Sequence, residues 1–187
     1  MKFAPLSIQG AYSIVAEPHR DDRGAFARLY CPQEFAAAGI AFAPTQLNLS
    51  TNSRRHTLRG LHYRMSPFAE AKCVRTIQGR AFDAIVDLRP QSPTYRRWTS
   101  VVLDPQSLTA VFVPEGCAHG FLTLEDETTL LYQMGKNFAT GYDRGVRWND
   151  PAFAIAWPAA PAVISERDAG YPDFADDFPG QGINSQA

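Results

Sequence analysis

The sequence predicts an all-β protein, an antiparallel sandwich or barrel with a few short helices. Three observations predict it. Short apolar–polar alternations recur along the chain, the period of strands that bury one face. Fourteen prolines and thirteen glycines are scattered through it, not gathered in one linker, so turns punctuate every segment. No strand–helix–strand rhythm is present, which argues against a parallel sheet.

In chain order, the first regular element is a helix. Pro32-Gln33-Glu34-Phe35-Ala36-Ala37-Ala38-Gly39 has proline in its first turn and glycine closing it. Gln78-Gly79-Arg80 is a turn, after which Phe82, Ala84, Val86 and Leu88 alternate with Asp83, Ile85 and Asp87. Arg89-Pro90-Gln91-Ser92-Pro93 and Asp104-Pro105-Gln106-Ser107 are further turns. Val111-Phe112-Val113 is a strand stopped by Pro114. Leu130, Tyr132 and Met134 then alternate with Thr129, Leu131 and Gln133, so Tyr132 shares its face with two apolar residues and points into the core. A second helical turn is predicted from Ser165. A polar end from about Gly180 is expected to fray. At 187 residues the chain reads as one domain over 1–187, with a core from about 5 to 175.

Composition narrows the partners. With 18 Lys+Arg against 19 Asp+Glu and a net charge of −1, no global basic field invites nucleic acid or an anionic membrane. Cys31, Cys73 and Cys117 form no CxxC pair and read as free, buried thiols of a reducing compartment. Met1-Lys2-Phe3-Ala4-Pro5 opens no apolar run of signal-peptide length, and nothing later could span a bilayer. A soluble, cytoplasmic protein is expected.

Two histidine motifs carry the chemistry: Leu58-Arg59-Gly60-Leu61-His62-Tyr63 and Pro114-Glu115-Gly116-Cys117-Ala118-His119-Gly120-Phe121. His62 is read as following an Arg59-Gly60 turn onto a strand. Lys72, Asp83 and Tyr132 lie on further predicted strands. Two imidazoles, a cation and a phenol aimed into one barrel would make a proton-transfer site. Each has a plainer reading. A lone histidine is usually structural, Lys72 could lie exposed on a strand edge, and Tyr132 could simply pack. Ser165-Glu166-Arg167-Asp168 matches a capping box, in which Asp168 ties off a helical turn; the alternative is a carboxylate that orients a histidine base. The Pro-x-Gly-x-x-His turn resembles half of the cupin metal signature. Its other half, His-x-His, here reads His62-Tyr63-Arg64, and a guanidinium cannot ligate a metal. Even with Glu70 nearby, no metal is expected.

Together the segments resemble the dTDP-4-dehydrorhamnose 3,5-epimerase family of cupin-like sugar-nucleotide epimerases. The resemblance runs through Asp22-Arg23-Gly24-x-Phe26, Gln46-x-Asn48-x-Ser50, the first histidine motif, Ala71-Lys72-x-Val74-Arg75 and Phe82-Asp83-x-x-Val86-Asp87-Leu88-Arg89. It continues through Ser92-Pro93-Thr94, the second histidine motif and Asp143-Arg144-Gly145-Val146-Arg147-Trp148-Asn149-Asp150-Pro151 to Trp157-Pro158. It implies a jelly-roll core, a homodimer, a nucleotide-diphosphate sugar as substrate, and no metal or organic cofactor. By similarity His62 is the base, Asp168 its partner and Tyr132 the acid on the opposite face of the sugar. Arg59, Lys72 and His119 then line the sugar and phosphate site, with Lys72 near the oxygen that gains charge. Arg23, Gln46, Asn48, Asp143 and Arg167 match substrate-contacting positions, and Phe138 falls where a tyrosine usually stacks on the base.

The chain departs from the family at the nucleotide end. Arg28 stands where a glutamate contacts the base, replacing an acceptor with a donor and opening the possibility of a cytidine-linked sugar. Leu47 and Leu49 replace polar residues. Three competing readings are a one-centre 3- or 5-epimerase, a non-catalytic sugar-nucleotide binding protein, and a metal-dependent cupin oxygenase or isomerase.

Overall fold

The structure is a computed structural model and describes residues 1–175; the tail predicted to fray lies outside them. The N-terminal part holds β1 (Lys2–Pro5), β2 (Tyr12–Val15), β3 (His19–Asp21), β4 (Gly24–Phe26) and helix α1 (Pro32–Ala37). The middle holds β5 (Gln46–Asn52), β6 (Thr57–Arg64), β7 (Lys72–Gln78), β8 (Ala81–Asp87) and β9 (Trp98–Leu103). Then come β10 (Thr109–Val113), β11 (Cys117–Thr123), β12 (Thr128–Met134), β13 (Asp143–Gly145), β14 (Val163–Ile164) and helix α2 (Glu166–Ala169).

The strands build two sheets packed face to face. One runs β1-β2-β10-β7-β12-β5, the other β13-β6-β11-β8-β9 with β14 laid parallel against β6. Between them lies a core of Val74, Ile85, Leu103, Val111, Phe121 and Leu130. Fully burying one such side chain is worth roughly 2 kcal/mol, and the core forms a firm floor for the polar groups beside it. The outer faces are covered as well. Phe35 of α1 packs with Ile14, Phe42 and Phe112 on one side, and Leu61, Tyr63, Ala84 and Val86 are covered by Phe153 and Trp157 on the other. The cupin-like, all-β jelly roll expected from the sequence is the architecture present.

Double-sided burial explains one weakness of the periodicity. In β8, Ala84 and Val86 pack outward while Ile85 joins the central core, so nearly the whole strand is buried. Alternation therefore does not tell which face holds chemistry. The predicted turns fall between strands, and α1 occupies the predicted helix, with proline at its start and Gly39 at φ +75 just past its end. Cys73 and Cys117 are buried, whereas Cys31 at the start of α1 is only half-buried. Strands β3 and β4 form a separate two-stranded hairpin whose residues are all exposed.

Candidate active site

The site depends on an irregularity in β6. Its pairing with β11 sets His62 opposite His119 but Arg59 opposite Phe121, so the register slips between these two pairs. Residues three apart in a regular strand face opposite sides of the sheet. The bulge at Gly60 and Leu61 brings both Arg59 and His62 to the cavity face. Gly60 is required there. It has φ +129, and a β-carbon on it would lie 2.5 Å from Gly120 Cα. The Arg59-Gly60 pair is thus no turn ahead of the strand, as the sequence suggests, but a bulge within it.

His62 meets its partner from the far end of the chain. Its Nε2 is 2.8 Å from Asp168 Oδ1, and Asp168 Oδ2 accepts the Gly60 amide at 3.0 Å. The backbone amide of Asp168 donates to Ser165 Oγ at 3.1 Å. Ser165 thus caps α2 through the Asp168 amide, while the Asp168 carboxylate is turned away from the cap to the histidine. Burial pushes Asp168 up, but the bonds from His62, Gly60 and Arg167 outweigh it and hold the carboxyl at about 2. An ionised Asp168 favours the His62 tautomer that carries its proton on Nε2, which leaves the Nδ1 lone pair for base chemistry. Arg167 Nη2 also lies 3.1 Å from the same Nε2, and Arg167 Nε donates to Asp168 Oδ1 at 3.2 Å.

A second histidine–aspartate pair lies deeper. His119 Nε2 is 2.7 Å from Asp83 Oδ2, with both side chains buried. Tyr132, from the opposite sheet, packs edge-on against His119 at 6.0 Å between ring centres. Burial raises its phenol far above the usual range, so it stays protonated and able to donate. Lys72 lies on β7 between β10 and β12, not on an edge, and is 6% exposed. Burial pushes its ammonium down, and Glu70, 3.9 Å away, opposes that. Glu70 also accepts Arg64 Nη1 at 2.9 Å, while Arg64 Nε donates to Asp143 at 2.8 Å.

These groups surround a cavity of about 310 Å³ between the sheets, lined by Asn48, Arg59, His62, Lys72, His119, Tyr132, Asp143 and Arg167 among others. Asp168 stands behind His62. Gln46 and Phe138 flank the opening: Gln46 donates to Asn48 at 2.9 Å and accepts the Phe138 amide at 3.2 Å. The Phe138 ring lies 5.2 Å from the Arg64 guanidinium. Two candidates are not brought in. Arg23 sits at the hairpin tip paired with Asp21, and Arg28 pairs with Glu34 of α1 at 3.1 Å.

Arg64, Glu70, Asp83 and Tyr171, to which the motifs assign no part in the reaction, also stand at the site. Arg64 was accessible by parity, two residues beyond His62 on the same strand. Asp83 lies on a strand buried on both faces, so its period does not mark the cavity side, and Tyr171 carries no sequence signal. Among the described residues no group of three or more His, Cys, Asp or Glu is placed to hold a metal ion.

Comparison with known proteins identifies relatives over most of the chain. The family model described as dTDP-4-dehydrorhamnose 3,5-epimerase matches residues 5–176. A relative of that name from Mycobacterium tuberculosis is 39% identical over 94% of this chain and 89% of its own. A dTDP-4-dehydrorhamnose 3-epimerase from Streptomyces niveus is 40% identical over 90% of this chain and 81% of its own. Among solved structures, the Bacillus anthracis dTDP-4-dehydrorhamnose 3,5-epimerase with TDP and PPi bound superposes with a TM-score of 0.89. It is 33% identical, over 92% of this chain and 99% of that one. By its motifs, its fold and these matches, the chain belongs to the dTDP-4-dehydrorhamnose 3,5-epimerase family.

Proposed function

We propose that the protein inverts C3 and C5 of a dTDP-linked 4-keto-6-deoxyhexose by proton transfer. One observation carries this reading: His62, backed by the ionised Asp168, and the protonated Tyr132 come from opposite sheets onto one cavity that also holds Lys72. C3 and C5 both flank the C4 ketone. Removal of either proton by His62 Nδ1 sends charge onto the C4 oxygen as an enolate. An ammonium in a water-poor cavity stabilises that charge far better than water does, which suits Lys72. Reprotonation by Tyr132 from the other face inverts the centre. Arg59 and Arg167 suit the diphosphate, because a guanidinium pairs bidentately with phosphate oxygens. Asn48, Asp143, Gln46 and Phe138 are then left for the nucleoside and the sugar hydroxyls.

The reading includes a homodimer. An isolated two-stranded hairpin is at best marginally stable in water, and Phe26 on this one is 77% exposed. Leu47 and Leu49 are also open, at 64% and 63%, an apolar surface that a second copy would cover. Such a copy would also give Arg23 and Arg28 a nucleotide site to reach. Sedimentation velocity tests this; a monomer at micromolar concentration overturns it. A reducing, cytoplasmic location belongs to the same reading, supported by the free thiols.

The test of the reaction is NMR in deuterated water with the dTDP-linked 4-keto sugar. Deuterium entering at both C3 and C5 is the expected result. Exchange at C3 alone favours the one-centre reaction named for the Streptomyces niveus relative. Nucleotide binding without any exchange overturns the enzymatic reading in favour of a binding protein.

A further inference from the structure

His62 has sheet neighbours on both sides. Opposite it on β11 stands His119, and opposite it on β13 stands Gly145. Directly opposed residues of antiparallel strands share a face, with β-carbons about 5 Å apart. Gly145 therefore leaves a slot open beside the imidazole, where any other residue would project a side chain. That slot is filled from elsewhere. A β-carbon built on Gly145 would collide with Cε2 and Cζ of the Tyr171 ring. The Tyr171 ring meets His62 edge-on, with ring centres 6.2 Å apart and planes at 74°, and lines the same cavity.

Tyr171 is held there by its own segment. Just after it, Asp173 pairs with Arg147, and the Phe174 amide donates to the buried Asp150 carboxylate at 2.6 Å. Just before it, α2 presents Asp168 to His62. One C-terminal stretch thus supplies both the carboxylate that bonds the imidazole and the ring that packs beside it.

We infer that Tyr171 is a positioning residue: it fills the slot that Gly145 leaves beside His62 and keeps the imidazole turned toward Asp168. The inference rests on the proposed role of His62 as base. An imidazole free to swing into an empty slot would leave both Asp168 and the reacting carbon, and misplacement of a catalytic group by about 1 Å costs up to roughly 100-fold in rate. Packing of this kind acts through the ring and not through the phenolic oxygen.

The experiment uses the full chain with Tyr171→Ala and Tyr171→Phe, checked for folding by circular dichroism. If Tyr171→Ala melts, Tyr171→Val gives the same readout with less volume lost. Tyr171→Ala is expected to lower kcat roughly 10- to 100-fold with KM little changed, and Tyr171→Phe, which keeps the ring, to restore most of it. In the free protein, ¹⁵N-histidine NMR is expected to show the His62 Nε2–H signal sharp in wild type and Tyr171→Phe. The same signal should be lost or averaged in Tyr171→Ala. An unchanged signal in Tyr171→Ala overturns the inference, as does a Phe variant as impaired as Ala, which would assign the role to the hydroxyl. Because the NMR arm needs no turnover, a wild type that fails to exchange substrate protons counts against the epimerase reading and leaves the positioning of His62 separately decided.

Discussion

The two histidine–aspartate pairs have nearly the same bond length, 2.8 Å for His62–Asp168 and 2.7 Å for His119–Asp83, and opposite characters. The His62 side chain is 33% exposed to the cavity, whereas His119 is 4% exposed. The carboxylates diverge in the same way. Asp168 gathers bonds from His62, the Gly60 amide and Arg167, which together overcome burial and hold it low. Asp83 is raised because burial outweighs His119 and Lys72, and its Oδ1 has no hydrogen-bond partner among the described residues. The number of donors around a buried carboxylate therefore decides whether it stays charged. One pair suits base chemistry at the substrate; the other anchors the cavity wall.

That contrast can be broken most severely at the open pair. His62→Ala is expected to lower deuterium exchange at every sugar carbon by roughly 10³- to 10⁴-fold, with the fold and nucleotide binding retained. Substantial exchange in the well-folded variant would remove His62 from the mechanism. At the buried pair the damage should fall on stability instead. Asp83→Ala leaves the buried His119 Nε2 without its hydrogen-bond partner and should cost roughly 1 to 3 kcal/mol in urea unfolding. A midpoint equal to that of the wild type would show that the two pairs do not differ as described.

Tyr132 tests the junction between the pairs, since it packs on His119 and faces the cavity. Tyr132→Phe should reduce epimer formation by roughly 10²-fold while deuterium still washes into the substrate, because deprotonation by His62 survives. Unchanged epimerisation would make Tyr132 a packing residue only. The smallest expected effect is the acid limb of stability. Asp168 titrates at about 2 in the folded chain against an ordinary 3.8, a difference worth about 2 kcal/mol. Because the folded value is the lower one, this contribution is fully present above about pH 4 and is lost as pH falls toward 2. Asp168→Asn should flatten that part of the stability profile; an unaltered profile would mean the carboxylate is not held ionised by its partners.

Much of this molecule was legible from its residues. Alternation, scattered turn formers and the proline-to-glycine span at 32–39 predicted an all-β chain with α1 in its place. Motif resemblance named His62, Lys72, His119, Tyr132 and Asp168, which converge as expected. Periodicity failed where its premise failed. In β8 both faces are buried, so Asp83 gave no sign of facing His119. In β6 the bulge breaks the period, so Arg59 and His62 could not be put on one face by counting. Arg23 matches a family position and Arg28 stands where the family has a glutamate, yet both lie outside the cavity, because a motif records chemistry and not where the fold places it.

By itself the sequence determined the strand-forming pattern, the set of titratable side chains and the glycines that permit close approach. Only the tertiary structure decided which glycine makes a bulge and which a slot, and that the Asp168 carboxylate turns from its helix cap to His62. It also decided that the Asp168 carboxyl is held low and the Asp83 carboxyl pushed up. The physical reason is range. Backbone propensity and side-chain period act over a few residues, whereas burial, desolvation and hydrogen-bond count depend on groups more than a hundred positions apart, as Asp168 and His62 are.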